Sequence, residues 1–216
     1  MRIGDSMASA VIHLCVAKEV NKYLKMDETI LLLGSIAPDI SKQVGETKEI
    51  SHFLNPALDD DIPMIDKFLS KYKDLLTNPF EMGYFIHLLT DKYWFRDYIT
   101  EYVEKYAKDK TTKKLTSAAL KNLIYNDYTN INIDIIDKYE LPLDLFSNEF
   151  ELPTSKITEI PMDKLNILID KMGIIIEESK EEKTFIFDTS DIEIFIQNTV
   201  KYIIKDIQML GVLDNK

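Results

Sequence analysis

Cysteine is almost missing from this chain: Cys15 stands alone among 216 residues. That excludes a disulfide within the chain and a thiolate cluster for a metal. Any metal must be held by nitrogen and oxygen. Glycine (6) and proline (7) are also scarce, against usual shares of about 7% and 5%. The scarcity favours helices joined by short connections, and it leaves no linker between independent domains. Basic side chains number 26 against 37 acidic ones, a formal charge of -11. A grip on a nucleic-acid backbone needs a basic surface, so stable nucleic-acid binding is not expected. No run of 18 apolar residues occurs, and no membrane-spanning helix is expected. The stretch "MASAVIHLCVA" (7–17) follows Asp5 and contains His13. It reads better as an amphipathic first helix than as a secretory segment, which makes the cytoplasm the expected location.

What is present is enough apolar material, 45% of the chain, for one sizeable core. The periodicity predicts an all-α fold, a single compact multi-helix domain over 1–216. The first helix runs from Asp5 or Ser6 to about Tyr23, with Ala10, His13, Leu14 and Ala17 on one side. Asp27 caps a short second helix that Gly34 ends, and "SIAPDI" follows as a loop. A third helix covers roughly Ile62–Leu76, with Pro63 in its first turn. "NPFE" then supplies Asn78 as a cap, Pro79 at the first position and Glu81 at the third. The pattern continues to about Lys108 and marks a central element. Further helices are expected at Leu115–Tyr125, Ile131–Tyr139, Leu143–Phe150 and Met162–Met172. Residues Ile174–Phe187 form either a small hairpin or an irregular excursion. A last helix is capped by Ser190 and Glu193 and ends at Gly211.

Histidine is the next scarcity. His13, His52 and His87 are the only three, all in the first 90 residues and on three different segments. In "FIHLLTDKYWF" (85–95), His87 and Asp91 stand four apart. On a helix they share one face, about 6 Å apart at Cβ. A neutral ring and a carboxylate together suit Zn²⁺, Fe²⁺, Mn²⁺ or Ni²⁺, and Asp91 has a second oxygen for a second ion. The bland alternative is an ion pair or a buried ring held by a carboxylate. The apolar and aromatic residues around the pair argue against the surface version. Burial of Asp91 without compensation is costly, and a cation offsets it. Each of the others has an ordinary reading too. His13 could be a core histidine, Asp39 a brace for the turn at Pro38, and His52 a loop histidine.

The order of these residues resembles the bacterial zinc-dependent phospholipase C family. "AVIHLCVAKEV", "LLLGSIAPDI", "SHF" and "GYFIHLLTDKYW" follow one another as that family's ligand segments do. The resemblance covers about the first 100 residues well and the rest loosely. It implies His13, Asp39, His52, His87 and Asp91 as metal ligands, with Asp91 reaching toward a second ion near His13. The chain departs from the family after the fourth segment. No histidine follows His87, where characterised members supply two more and a glutamate, so two ions at most are expected. Asp127 stands between Asn126 and Tyr128 and is a candidate ligand for the second ion; it could equally cap the following helix. Asp39 or Asp127 would accept a proton from an attacking water. Tyr93, Trp94 and Tyr125 are candidates to line a pocket or to be core.

Two chemistries follow. A di-metal site holds a phosphate between its ions and activates water. Phosphoester or phosphodiester hydrolysis is therefore expected; for so acidic a chain without visible membrane-binding equipment, a small phosphorylated metabolite, a nucleotide or an oligonucleotide is expected as substrate no less than a lipid. The alternative is a non-catalytic helical protein with one structural or sensory metal site. One or two divalent ions, zinc first among them, are the cofactor expected in both cases.

Overall fold

The computed structural model describes residues 9–58, 60–99, 130–142, 151–177 and 188–213, with Glu101, Ala119, Leu123, Asn126 and Asp127. Helix α1 spans Ala10–Leu24 and is capped by Ser9, whose Oγ accepts from the Ile12 N–H. The Ser9 hydroxyl also donates to Asn132 Oδ1 at 3.0 Å, tying α1 to a later helix. α2 is Glu28–Ile36, capped by Asp27 as expected. Short helices α3 (Ile40–Gln43) and α4 (Lys48–Ser51) follow, then α5 (Ile65–Tyr72), α6 (Pro79–Tyr93), α7 (Asn132–Tyr139), α8 (Leu165–Glu177) and α9 (Thr189–Met209). Among the described residues there is no β-strand, only an isolated bridge between Leu54 and Pro63. The all-α expectation holds.

The centre is the crossing of α2 and α6, with α1 laid against both; α7 and α9 pack on α1, and α9 also packs on α6. Leu31, Leu32, Leu33, Leu88 and Leu89 of these helices are buried, and so are Tyr84 and Phe85, whose rings stack on Phe68 of α5. Gly34 does not end α2. The helix continues to Ile36, and Gly34 instead allows the two backbones to touch. A Cβ there would lie 2.2 Å from the Phe80 carbonyl oxygen. Gly83 on α6 is the mirror case, its Cβ position 2.1 Å from the Leu31 oxygen.

Several boundaries differ from expectation, each for a local reason. "APD" is not a loop but a 3₁₀ turn, Ala37–Asp39, running into α3. Pro38 sits in its first turn, where a missing N–H costs nothing. α5 starts at Ile65, because Pro63 is spent in the bridge and the Met64 N–H on the Phe53 carbonyl. α6 starts at Pro79 as expected, yet the Asn78 side chain makes no cap bond. Glu81 is engaged elsewhere, accepting from Ser155 Oγ (2.9 Å) and the Lys156 N–H (3.4 Å). Beyond Tyr93 the chain winds as a π-helix, Trp94–Tyr98. The cap of α9 is Asp188 with Asp191, not Ser190 with Glu193. Ser190 donates to Asp188, and Glu193 pairs with Lys138. Ile174–Glu177 continue α8, while 178–187 lie outside the described residues, as do most of the central helix expected beyond Ile99 to Lys108, most of Leu115–Tyr125 and all of Leu143–Phe150.

Candidate metal centre

Four segments converge on one buried cluster. His13 comes from the first turn of α1, Asp39 from the end of the 3₁₀ turn after α2, and His52 from the C-cap of α4. His87 and Asp91 come from successive turns of α6. The three histidines and Asp91 are at most 1% exposed, and Asp39 is 6% exposed. Two overlapping triads result, His13–His87–Asp91 and Asp39–His52–His87, each with its ligand atoms within 4.8 Å of one another.

Hydrogen bonds fix which nitrogens face inward. His87 Nδ1 lies 2.7 Å from the Ser35 carbonyl. A carbonyl only accepts, so Nδ1 carries the proton and Nε2 points into the cluster. His52 Nδ1 lies 2.9 Å from Ser51 Oγ, which is 3.0 Å from Ser41 Oγ, itself 3.3 Å from the Pro38 carbonyl. Read from that terminal acceptor, the hydroxyls donate in series and Ser51 accepts from His52 Nδ1–H. His52 Nε2 is then left inward as well. The two Nε2 atoms stand 3.2 Å apart. In neutral rings these are two lone pairs facing one another, an arrangement that a cation between them relieves.

The other distances fit the same ion. His52 Nε2 is 3.4 Å from Asp39 Oδ1 and 3.7 Å from Asp91 Oδ2, and His87 Nε2 is 3.5 Å from Asp91 Oδ2. A tetrahedral zinc with bonds of about 2.0–2.2 Å has donor–donor edges of about 3.3–3.6 Å. Among Asp39, His52, His87 and Asp91, two spacings fall in that range, 3.4 and 3.5 Å, and two lie just outside it, 3.2 and 3.7 Å. Asp91 Oδ1 turns the other way, to His13 Nε2 at 3.4 Å. Neither His13 nitrogen has a hydrogen-bond partner among the described residues, and neither does Asp39 Oδ1 or Asp91 Oδ1. The His13 ring stacks on His87, with centroids 3.8 Å apart and planes at 10°. Buried polar atoms left this way are costly unless a ligand takes them up.

Charge points in the same direction. Burial, reinforced by the neighbouring His87, holds His13 below its ordinary pKa; burial likewise holds His52 down. Burial opposes ionisation of Asp39, but contact with His52 and the charges of His87 and Lys42 bring it down to about 2. Asp91 is held well below the carboxylate range, against burial, by His13 and His87. His87 is raised against its burial by the Asp91 and Asp39 carboxylates and the Ser35 carbonyl. With His13 and His52 neutral, two carboxylates face at most one charged ring. The two buried carboxylates thus outnumber the charged rings of the cluster, with Lys42 acting on Asp39 from outside it, and a divalent ion corrects such an excess.

The remaining candidates fall elsewhere. Asp127 is fully buried but belongs to neither triad. Trp94 is core, packed against Tyr98 and edge-on to Phe195 with centroids 4.9 Å away in each case. Tyr93 donates to Asp206 at 2.6 Å. Tyr125 lies outside the described residues. The sequence reading missed Ser35, Ser41 and Ser51, which orient the rings, and Tyr84, whose hydroxyl donates to the Ser51 carbonyl. The adjacency of Ser51 to His52 was the one available signal. A backbone carbonyl such as that of Ser35 leaves none. No known protein family, no curated protein and no solved structure matches this chain.

Proposed function

We propose that this helical domain is organised around one divalent ion, zinc by preference, held by Asp39, His52, His87 and Asp91 as a structural or sensory centre. The observation that carries the reading is a set of four buried donors in which His52, His87 and Asp91 stand 3.2–3.7 Å from one another and Asp39 stands 3.4 Å from His52. Structural zinc sites take four protein ligands, whereas catalytic ones keep a position open for water. His87 belongs to both triads, and one imidazole nitrogen binds one ion, so the arrangement favours a single centre. Nitrogen and oxygen donors also suit Fe, Mn or Ni, and metal identity is a matter for measurement.

One observation favours a second reading. Asp91 Oδ1 and both His13 nitrogens lack hydrogen-bond partners among the described residues, with Asp91 Oδ1 turned to His13 Nε2 at 3.4 Å. A second ion there, with Asp127 as a further ligand, would make the chain a divergent relative of the zinc-dependent phospholipases C. Its substrate would be a phosphoester or phosphodiester. Such ions supply Lewis acidity and a water of lowered pKa, and Asp39 or Asp127 would accept the proton.

Elemental analysis of gently purified protein, paired with turnover of generic phosphomonoester and phosphodiester substrates, separates the two. The expected result is about one equivalent of zinc, little in His87→Ala, and no turnover. Two equivalents with turnover would replace the structural reading by the hydrolytic one. Metal far below one equivalent in wild type, unchanged in His87→Ala, would end both.

A further inference from the structure

His52 takes its orientation from a helix end. α4 closes on a Schellman motif: the Leu54 N–H donates to the Glu49 carbonyl (2.9 Å) and the Phe53 N–H to the Ile50 carbonyl (3.2 Å). His52 is the C-cap, and the next residue must be left-handed, a position usually given to glycine. Here it is Phe53, at φ 54. A bulky residue in this region is strained and persists only where its surroundings hold it.

The surroundings do hold it. Phe53 is 1% exposed, and its ring stands edge-on to Phe68 (5.3 Å), Tyr72 (6.4 Å) and Tyr84 (6.4 Å). Its carbonyl accepts the Met64 N–H at 3.0 Å. Tyr84 grips the other side of His52 too, through its hydrogen bond to the Ser51 carbonyl. The residues before and after His52 are therefore both fastened to the same aromatic wall, whose Tyr84 lies on α6 three residues before His87 and seven before Asp91.

We propose that Phe53 is a positioning residue for the metal centre: its clamped ring holds the left-handed turn that aims His52 Nε2 at His87 and Asp39. The inference rests on the metal reading above. It separates the cap from the clamp. Glycine at 53 suits the backbone better and removes only the ring. If the turn were merely a helix stop, Phe53→Gly would bind metal as well as wild type or better.

Cobalt(II) is the probe, because a four-coordinate ion absorbs far more strongly in the visible than a six-coordinate one. Wild type is expected to give the intense four-coordinate band. Phe53→Gly is expected to keep its helical circular dichroism, lose about 10–100-fold in cobalt affinity, and show a weaker band. Phe53→Leu, which refills much of the volume, should recover most of the loss. Phe68→Leu loosens the clamp without touching the chain at 53, and should weaken the same band should Phe53→Gly not fold. Intense wild-type absorption matched by Phe53→Gly, or by Phe68→Leu in its place, overturns this inference alone. A wild type that takes up no cobalt overturns the metal reading and this inference together.

Discussion

His87 faces both triads, and its Nδ1 is fixed on a main-chain carbonyl of α2. Its neighbours make a prediction for the metal-free protein. His13 and His52 have depressed pKa values in the fold, against 6.5 when unfolded. The unfolded chain therefore takes up protons below 6.5 that the folded chain does not, and stability falls as pH drops from there. His87 is raised, so its opposite contribution is fully present below 6.5 and is lost only above its folded value. Two depressed rings outweigh one raised ring. With a chelator present, the melting temperature should fall between pH 6.5 and about pH 5, as thermal melts at fixed ionic strength would report. A melting temperature that rises over that range would contradict the assignment. At this scale the side chains that could ligate were legible, because only three histidines exist and His87 and Asp91 share a helical face. Phe53 was not legible as a turn residue, since the left-handed position it fills is ordinarily marked by glycine.

The crossing of α2 and α6 is where helix geometry meets the site. Gly34 and Gly83 each lie against the other helix's main chain, with Cβ positions 2.2 and 2.1 Å from carbonyl oxygens. Backbone cannot swing aside as a side chain would. Gly34→Ala or Gly83→Ala should therefore destabilise by about 3 kcal/mol, despite alanine's better helix propensity. Urea denaturation would measure it, and a change of a few tenths would show the helices to be less tightly seated. Two helix starts were legible, Asp27 and Pro79 standing where the sequence put them, whereas α5 starts later than expected and α9 is capped by other residues. The end of α2 was not legible. Gly34 looked like a stop because glycine commonly is one, and only the partner helix reveals it as a contact. Likewise, Glu81 looked like a capping residue until Ser155 and Lys156, over 70 positions away, took its carboxylate.

Taken whole, the molecule carries a charge of -11 and a cluster in which buried carboxylates outnumber charged rings, so a bound cation should matter to the entire fold. Free zinc at about a hundredfold above Kd adds about 2.7 kcal/mol. Chelation should lower the melting temperature accordingly, and zinc, not calcium, should restore it; equal melting with and without chelator would argue against a bound ion. No helix among the described residues is long and apolar enough to cross a membrane. The overall class was legible from composition and periodicity, while the assembly of four distant segments into one cluster was legible only through their order. The paired glycines have a last consequence, for selectivity. They set the gap between the segment bearing Asp39 and the helix bearing His87 by main-chain contact, with no adjustable side chain between. The cluster is a fixed gauge, and it should sort cations by ionic radius: those satisfied by short bonds seat, and calcium, which wants six to eight oxygens at about 2.3–2.6 Å, does not.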